Sequence, residues 1–71
     1  MIKIKFVGQE LSGNLYITEI GTYIIDTNFS KSKDTSRMSL HTLSWNEPDG
    51  IPDGEPYYRL KSERFIVVDE F

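Results

Sequence analysis

Apolar residues in this chain come in short alternating runs, each cut off by residues that end regular structure. Ile2-Lys3-Ile4-Lys5-Phe6, Leu15-Tyr16-Ile17-Thr18, Tyr23-Ile24-Ile25-Asp26 and Phe65-Ile66-Val67-Val68 are separated by stretches rich in glycine, proline, asparagine and aspartate. Side chains of a strand alternate between two faces, whereas a helix needs its apolar residues three and four apart. The runs therefore predict an all-β chain of five to six short strands, with a meander at the N-terminus. A small barrel or a strongly bent antiparallel sheet is the expected architecture, because closure or strong bending hides the edges that a flat sheet exposes.

Size sharpens this expectation. The 71 residues suit one domain, spanning 1–71, and a chain of this length buries only about 60% of the surface its unfolded form exposes. No cysteine is present, so neither a disulfide framework nor a thiolate metal site can reinforce a thin core. Stability must come from aromatic and β-branched burial, and a second subunit would add to it. A homodimer is thus one expected assembly.

The net charge of −3 gives no overall field that would draw the chain onto DNA or an anionic membrane. No apolar run approaches the roughly 18 residues of a membrane span, and residues 1–7 alternate lysine with apolar residues where a signal peptide would be continuously apolar. A soluble cytoplasmic protein is the expectation.

Residues 2–7 read as the first strand, with Ile2, Ile4 and Phe6 inward and Lys3 and Lys5 in water, a pattern suited to an exposed edge strand. Residues 8–13 read as a connection, 14–19 as the second strand, and Ile20-Gly21 as a tight turn into 22–26. Residues 27–38 show no period and read as a long mobile loop whose ends are pinned by Phe29 and Met38. A fourth strand follows over 39–45, with His41, Leu43 and Trp45 on the inward face and His41 near a rim. Pro-Asp-Gly then occurs at 48–50 and again at 52–54, predicting two successive tight turns around Ile51. Residues 57–61 and 64–69 read as closing strands, with a helical turn started by Pro56 as the competing reading of 55–64. An SH3-like barrel is the first expectation for the whole and an OB-like barrel the second.

The opening strand pair carries a partial resemblance. Gly8, Leu11, Gly13 and Leu15 match the glycine and apolar spacing at the start of Sm-like RNA-binding barrels, and Glu19 stands where that family has an aspartate. Tyr23 departs from the family's asparagine, and no later arginine-glycine motif is present. Over about a quarter of the chain, then, the sequence resembles an Sm-like barrel. The resemblance implies a sharply bent strand pair, which two glycines bracketing an apolar residue produce in any sheet.

Three clusters are candidates for binding. Tyr16, Tyr57 and Arg59 would form an aromatic patch with a guanidinium if they share an outer face, a composition enriched where proteins dock and where single-stranded bases stack. Lys31, Lys33 and Arg37 make the 27–38 loop locally positive. Asp49 and Asp53, with Glu47 and Glu55, make the 46–56 loop negative. Their oxygens suit calcium, but the spacing is not that of an EF-hand, and solvated carboxylates or a knob for a basic partner are the simpler readings. Catalysis has little to stand on: there is one histidine and no cysteine, no visible nucleophile–base pair, and no glycine-rich phosphate loop. Neither a cofactor nor a bound metal is expected.

The leading functional expectation is a non-enzymatic module that docks to a protein partner. Size and composition resemble those of accessory proteins of mobile elements, inhibitors of host nucleases among them. The alternative is a single-stranded nucleic-acid binder using the barrel face.

Overall fold

A computed structural model describes residues 1–54 and 64–71. Among these described residues, five strands lie in one mixed sheet in the order β4-β3-β2-β1-β5. They are β1 (Ile2–Glu10), β2 (Gly13–Thr18), β3 (Tyr23–Asp26), β4 (Leu40–Thr42) and β5 (Phe65–Val68). The described residues contain no α-helix, and no helix among them is long and apolar enough to cross a membrane. Among the described residues the sheet is bent but not closed, since β4 and β5 stand at its two edges without pairing to each other. The segments expected as a strand over 57–61 or a helical turn after Pro56 fall mostly or wholly outside the described residues.

The N-terminal meander forms as the alternation dictates. β1 pairs antiparallel with β2, and β2 with β3. β1 runs past residue 7 to Glu10, because a register shift between Phe6 and Gly8 leaves Val7 without a partner and bends the pair. The β2–β3 connection, residues 19–22, is a tight four-residue link. The Gly21 N–H donates to the Thr18 carbonyl, the Thr18 N–H donates to the Thr22 carbonyl, and Gly21 takes φ +85°. That is a type I turn followed by a left-handed residue, where glycine avoids the Cβ penalty.

β1 is not the edge strand its lysines suggested. β5 returns to pair with it in parallel, Ile2 opposite Phe65 and Lys5 opposite Val68, so β1 lies between two neighbours. Period-two alternation is the same for either strand direction, and residues 43–64 supply the length that a parallel return needs.

Both faces of β2 and β3 are buried, where the alternation alone would cover one. On the first face Ile4, Tyr16, Ile24, Met38, Leu40 and Phe65 form the larger cluster. On the second, Leu15, Ile25 and Leu43 form a smaller one against Tyr23. Leu43 reaches it because the chain beyond β4 folds back: Leu43 bridges Pro52, and the Asp53 N–H donates to the Thr42 carbonyl at 2.8 Å. The first Pro-Asp-Gly makes the expected turn, closed by the Gly50 N–H on the Glu47 carbonyl. The second does not form a tight turn at its start, since Pro52 and Asp53 lie extended against β4.

The 27–38 loop is a fastened structure, not the mobile segment its composition suggested. Asp26 ends β3 with its side chain fully buried at 0% exposure. Its Oδ1 accepts from the Asn28 and Ser39 N–H groups, both at 2.9 Å, and its Oδ2 accepts from the Ser30 N–H at 2.8 Å. One carboxylate therefore holds both ends of the loop. Gly13 lies directly against the Asp26 backbone, where any Cβ would overlap the carbonyl oxygen. Met38 is buried as anticipated, but Phe29 remains 38% exposed at φ 52°.

Candidate functional site

The two ends of β2 carry surfaces of opposite character. At the Gly13 end, β1, β2, β5 and the fastened loop enclose a groove of about 590 Å³. Its lining includes Phe6, Tyr16, Phe29, Lys31, Lys33 and Asp69. Phe6 stands opposite Tyr16 in the register but is 52% exposed, so its expected burial is not met. Phe6 and Tyr16 stack edge to face at 5.6 Å and 71°. Lys33 pairs with Asp69 at 3.0 Å, both side chains largely in solvent.

Tyr16 does not belong to an outer patch. It is 5% exposed and registers between Phe6 and Ile24 in the larger core. Burial, and then the negative charge of Asp26, push its phenol above the ordinary value of 10.0. Tyr57 and Arg59 lie outside the described residues. Of the expected binding residues, the groove brings together Tyr16, Lys31 and Lys33. Arg37 stands apart at the end of a 3₁₀ turn, Thr35–Arg37, where it pairs with Asp34 at 3.7 Å. Hydrogen bonds from the Ser36 hydroxyl and N–H, and then the Arg37 charge, hold the Asp34 carboxyl below its usual range.

At the other end of β2 stands a corner that the alternation did not reveal. A second 3₁₀ turn, Ser44–Asn46, follows β4, and both Trp45 (φ 52°) and Asn46 (φ 51°) are left-handed there. Trp45, expected in the core or packed at its rim, is 90% exposed because this reversal turns it off the strand face. Holding a bulky residue in this backbone region costs about 1–3 kcal/mol and persists only where neighbours fix it. The fixing group is the Asn46 amide. Its Oδ1 accepts from the Tyr23 N–H at 2.7 Å and its Nδ2 donates to the Gly21 carbonyl at 2.9 Å, so it latches the turn to the β2–β3 loop. Ile20 in that loop and Ile51, which pairs through its backbone with Ser44, are also largely exposed. Glu19, Glu47 and Asp49 border these three apolar side chains along the chain. Asparagine tolerates positive φ, so Asn46 ahead of Pro48 was the one sequence signal that the strand breaks there.

Asp53 has a structural place: its Oδ2 accepts from the Thr42 hydroxyl at 2.8 Å. His41 is buried with both ring nitrogens engaged, Nδ1 donating to the Asp53 carbonyl at 2.7 Å and Nε2 facing the Ser39 hydroxyl at 3.3 Å. Among the described residues no three histidine, aspartate or glutamate side chains gather as a metal site. A smaller, more apolar cleft of about 290 Å³ is lined by Ile2, Ile20, Ile24 and Phe65 together with Lys3 and Glu19.

No family model, curated protein or solved structure matches this chain.

Proposed function

We propose that this protein is a non-enzymatic binding module that docks to another protein through the Trp45 corner. The observation behind this is a single one: the largest side chain of the molecule stands in water, on a strained backbone held there by two hydrogen bonds from Asn46. Tryptophan is among the residue types on which binding energy concentrates at interfaces. Burying it removes roughly 150–250 Å² from water, about 4–6 kcal/mol before the cost of association. The border of Glu19, Glu47 and Asp49 repels a polyanion and favours a partner whose apolar surface is ringed by lysine or arginine. This charge border supports protein docking over nucleic-acid binding for this surface.

Trp45 is the sole tryptophan, so its emission reports on the corner alone. Titration with a peptide alternating leucine and lysine is expected to shift the emission to the blue, while its leucine–glutamate counterpart and single-stranded RNA leave it unchanged. Equal shifts with all three probes, or none with the lysine peptide, refute the reading. Trp45→Gly removes the strained conformation and no buried area, so it is expected to melt no lower than the parent.

A further inference from the structure

Resting on the docking reading above, we propose that the Trp45 corner of one copy seats in the Phe6–Phe29–Lys31–Lys33 groove of a second copy, head to tail. The corner calls for a partner surface that sets aromatic or aliphatic groups beside cations. The groove at the opposite end of β2 does so, with Phe6, Tyr16 and Phe29 lining it together with Lys31 and Lys33. Its volume of about 590 Å³ exceeds what one indole fills, and two phenyl rings, Phe6 and Phe29, are partly open to it. Lys31 makes no ion pair among the described residues, and the Lys33–Asp69 pair is solvent-exposed at both ends, so it can exchange partners at little cost. Lysines beside a docked indole add a cation–π attraction, and they attract Glu47 and Asp49, which follow Trp45 in the chain.

The groove is held in shape before docking. Phe29 and Ser30 are set by the Asp26 backbone carbonyl and carboxylate, and Asn14 Nδ2 donates to the Ser30 carbonyl at 3.0 Å. Pre-ordered loops spare the entropy that association otherwise costs. Because the two surfaces differ and sit at opposite ends, each docking event leaves one of each unused. Such contacts build open chains or rings rather than closed two-fold dimers.

The test uses the full chain in sedimentation equilibrium together with Trp45 emission. Between about 10 μM and about 1 mM, a range spanning weak association, the weight-average mass is expected to climb from 8.2 kDa past twice that value, with a blue shift in step. Trp45→Gly lacks the corner, and the double variant Lys31→Glu, Lys33→Glu lacks the groove's cations. Each alone is expected to associate at least about tenfold more weakly, the scale of losing an interface anchor. Mixed one to one, they complement: the emission of the lysine variant shifts only when the tryptophan-free variant is added, and the mass stops at the heterodimer. Both substitutions replace exposed side chains, and circular dichroism checks that the fold persists. A parent monomeric at 1 mM, or variants that fail to complement, overturns head-to-tail docking. If the lysine peptide still shifts the monomer's emission, the docking reading stands while this one falls.

Discussion

Asp26→Asn is the most searching perturbation of this fold, because one carboxylate holds a segment of a dozen residues. The substitution keeps the shape and replaces one acceptor oxygen by an NH₂ donor. If the nitrogen takes the Oδ2 place, the Ser30 N–H loses its acceptor. If it takes the Oδ1 place, the Asn28 and Ser39 N–H groups both lose theirs. The milder orientation leaves one N–H opposed by a donor, at about 1–3 kcal/mol, and weakens two bonds that had been charge-assisted. A loss of roughly 2–3 kcal/mol follows, against a total stability of about 4–10 kcal/mol for a chain of this length. With a urea dependence of about 1 kcal/mol per molar, the unfolding midpoint falls by about 2–3 M. Asp26→Ala removes both acceptor oxygens, and with them all three hydrogen bonds, and is expected to leave little folded protein. Urea titration followed by far-ultraviolet circular dichroism measures the first effect, and native-state hydrogen exchange at Asn28, Ser30 and Ser39 locates it. A second readout is independent of stability: removing the charge lets the Tyr16 phenol, raised first by burial and second by Asp26, move part of the way back toward 10. A midpoint shift below about 0.5 M, or fast exchange at those amides in the parent, refutes the carboxylate as the fastening of the loop.

Two further outcomes follow from the same region. Gly13→Ala drives a Cβ into the Asp26 carbonyl group, 2.7 Å from its carbon, and is expected to cost about 1–3 kcal/mol; Gly8→Ala, with nothing within 4 Å, serves as the near-neutral comparison in thermal melts. Tyr16 has a folded-state pKa above its unfolded value of 10.0, so its contribution is complete below pH 10 and is lost as pH rises through the folded value; melting temperature should fall on that alkaline limb, and Tyr16→Phe should flatten the part of the slope that Tyr16 supplies.

What the sequence made legible is what turns and period determine. The β1–β3 meander, the Gly21 turn and the Pro48-Asp49-Gly50 turn all rest on local chemistry, and each forms where the residues place it. Alternation also said correctly that Leu15 and Tyr16 point to opposite faces. It could not say that both faces would be covered, which is why Tyr16 went to the wrong side of the ledger between core and surface. The direction of β5 was hidden for a related reason, since an alternating run has the same pattern whether its neighbour runs with it or against it. The loop over 27–38 was misread because its order comes from one acidic side chain bonding backbone groups up to thirteen positions away, a relation that composition does not record. Of the candidate site, Lys31 and Lys33 were found by charge. Trp45 was missed because the strand was expected to run to residue 45, whereas it ends at Thr42 and the backbone reverses over Ser44–Asn46.

The side-by-side alignment of β1 and β5 has a consequence for biosynthesis. A nascent chain that has emerged through residue 54 can assemble the meander and β4, yet one flank of β1 stays bare and Phe65 is missing from the interior. Until residues 65–68 leave the ribosome, that flank is a row of unanswered amides and carbonyls open to any other extended chain. Such long-range pairing slows folding, so crowding of unfinished copies is the hazard of this topology, and Lys3 and Lys5, idle as edge guards in the finished molecule, do their protecting during that interval.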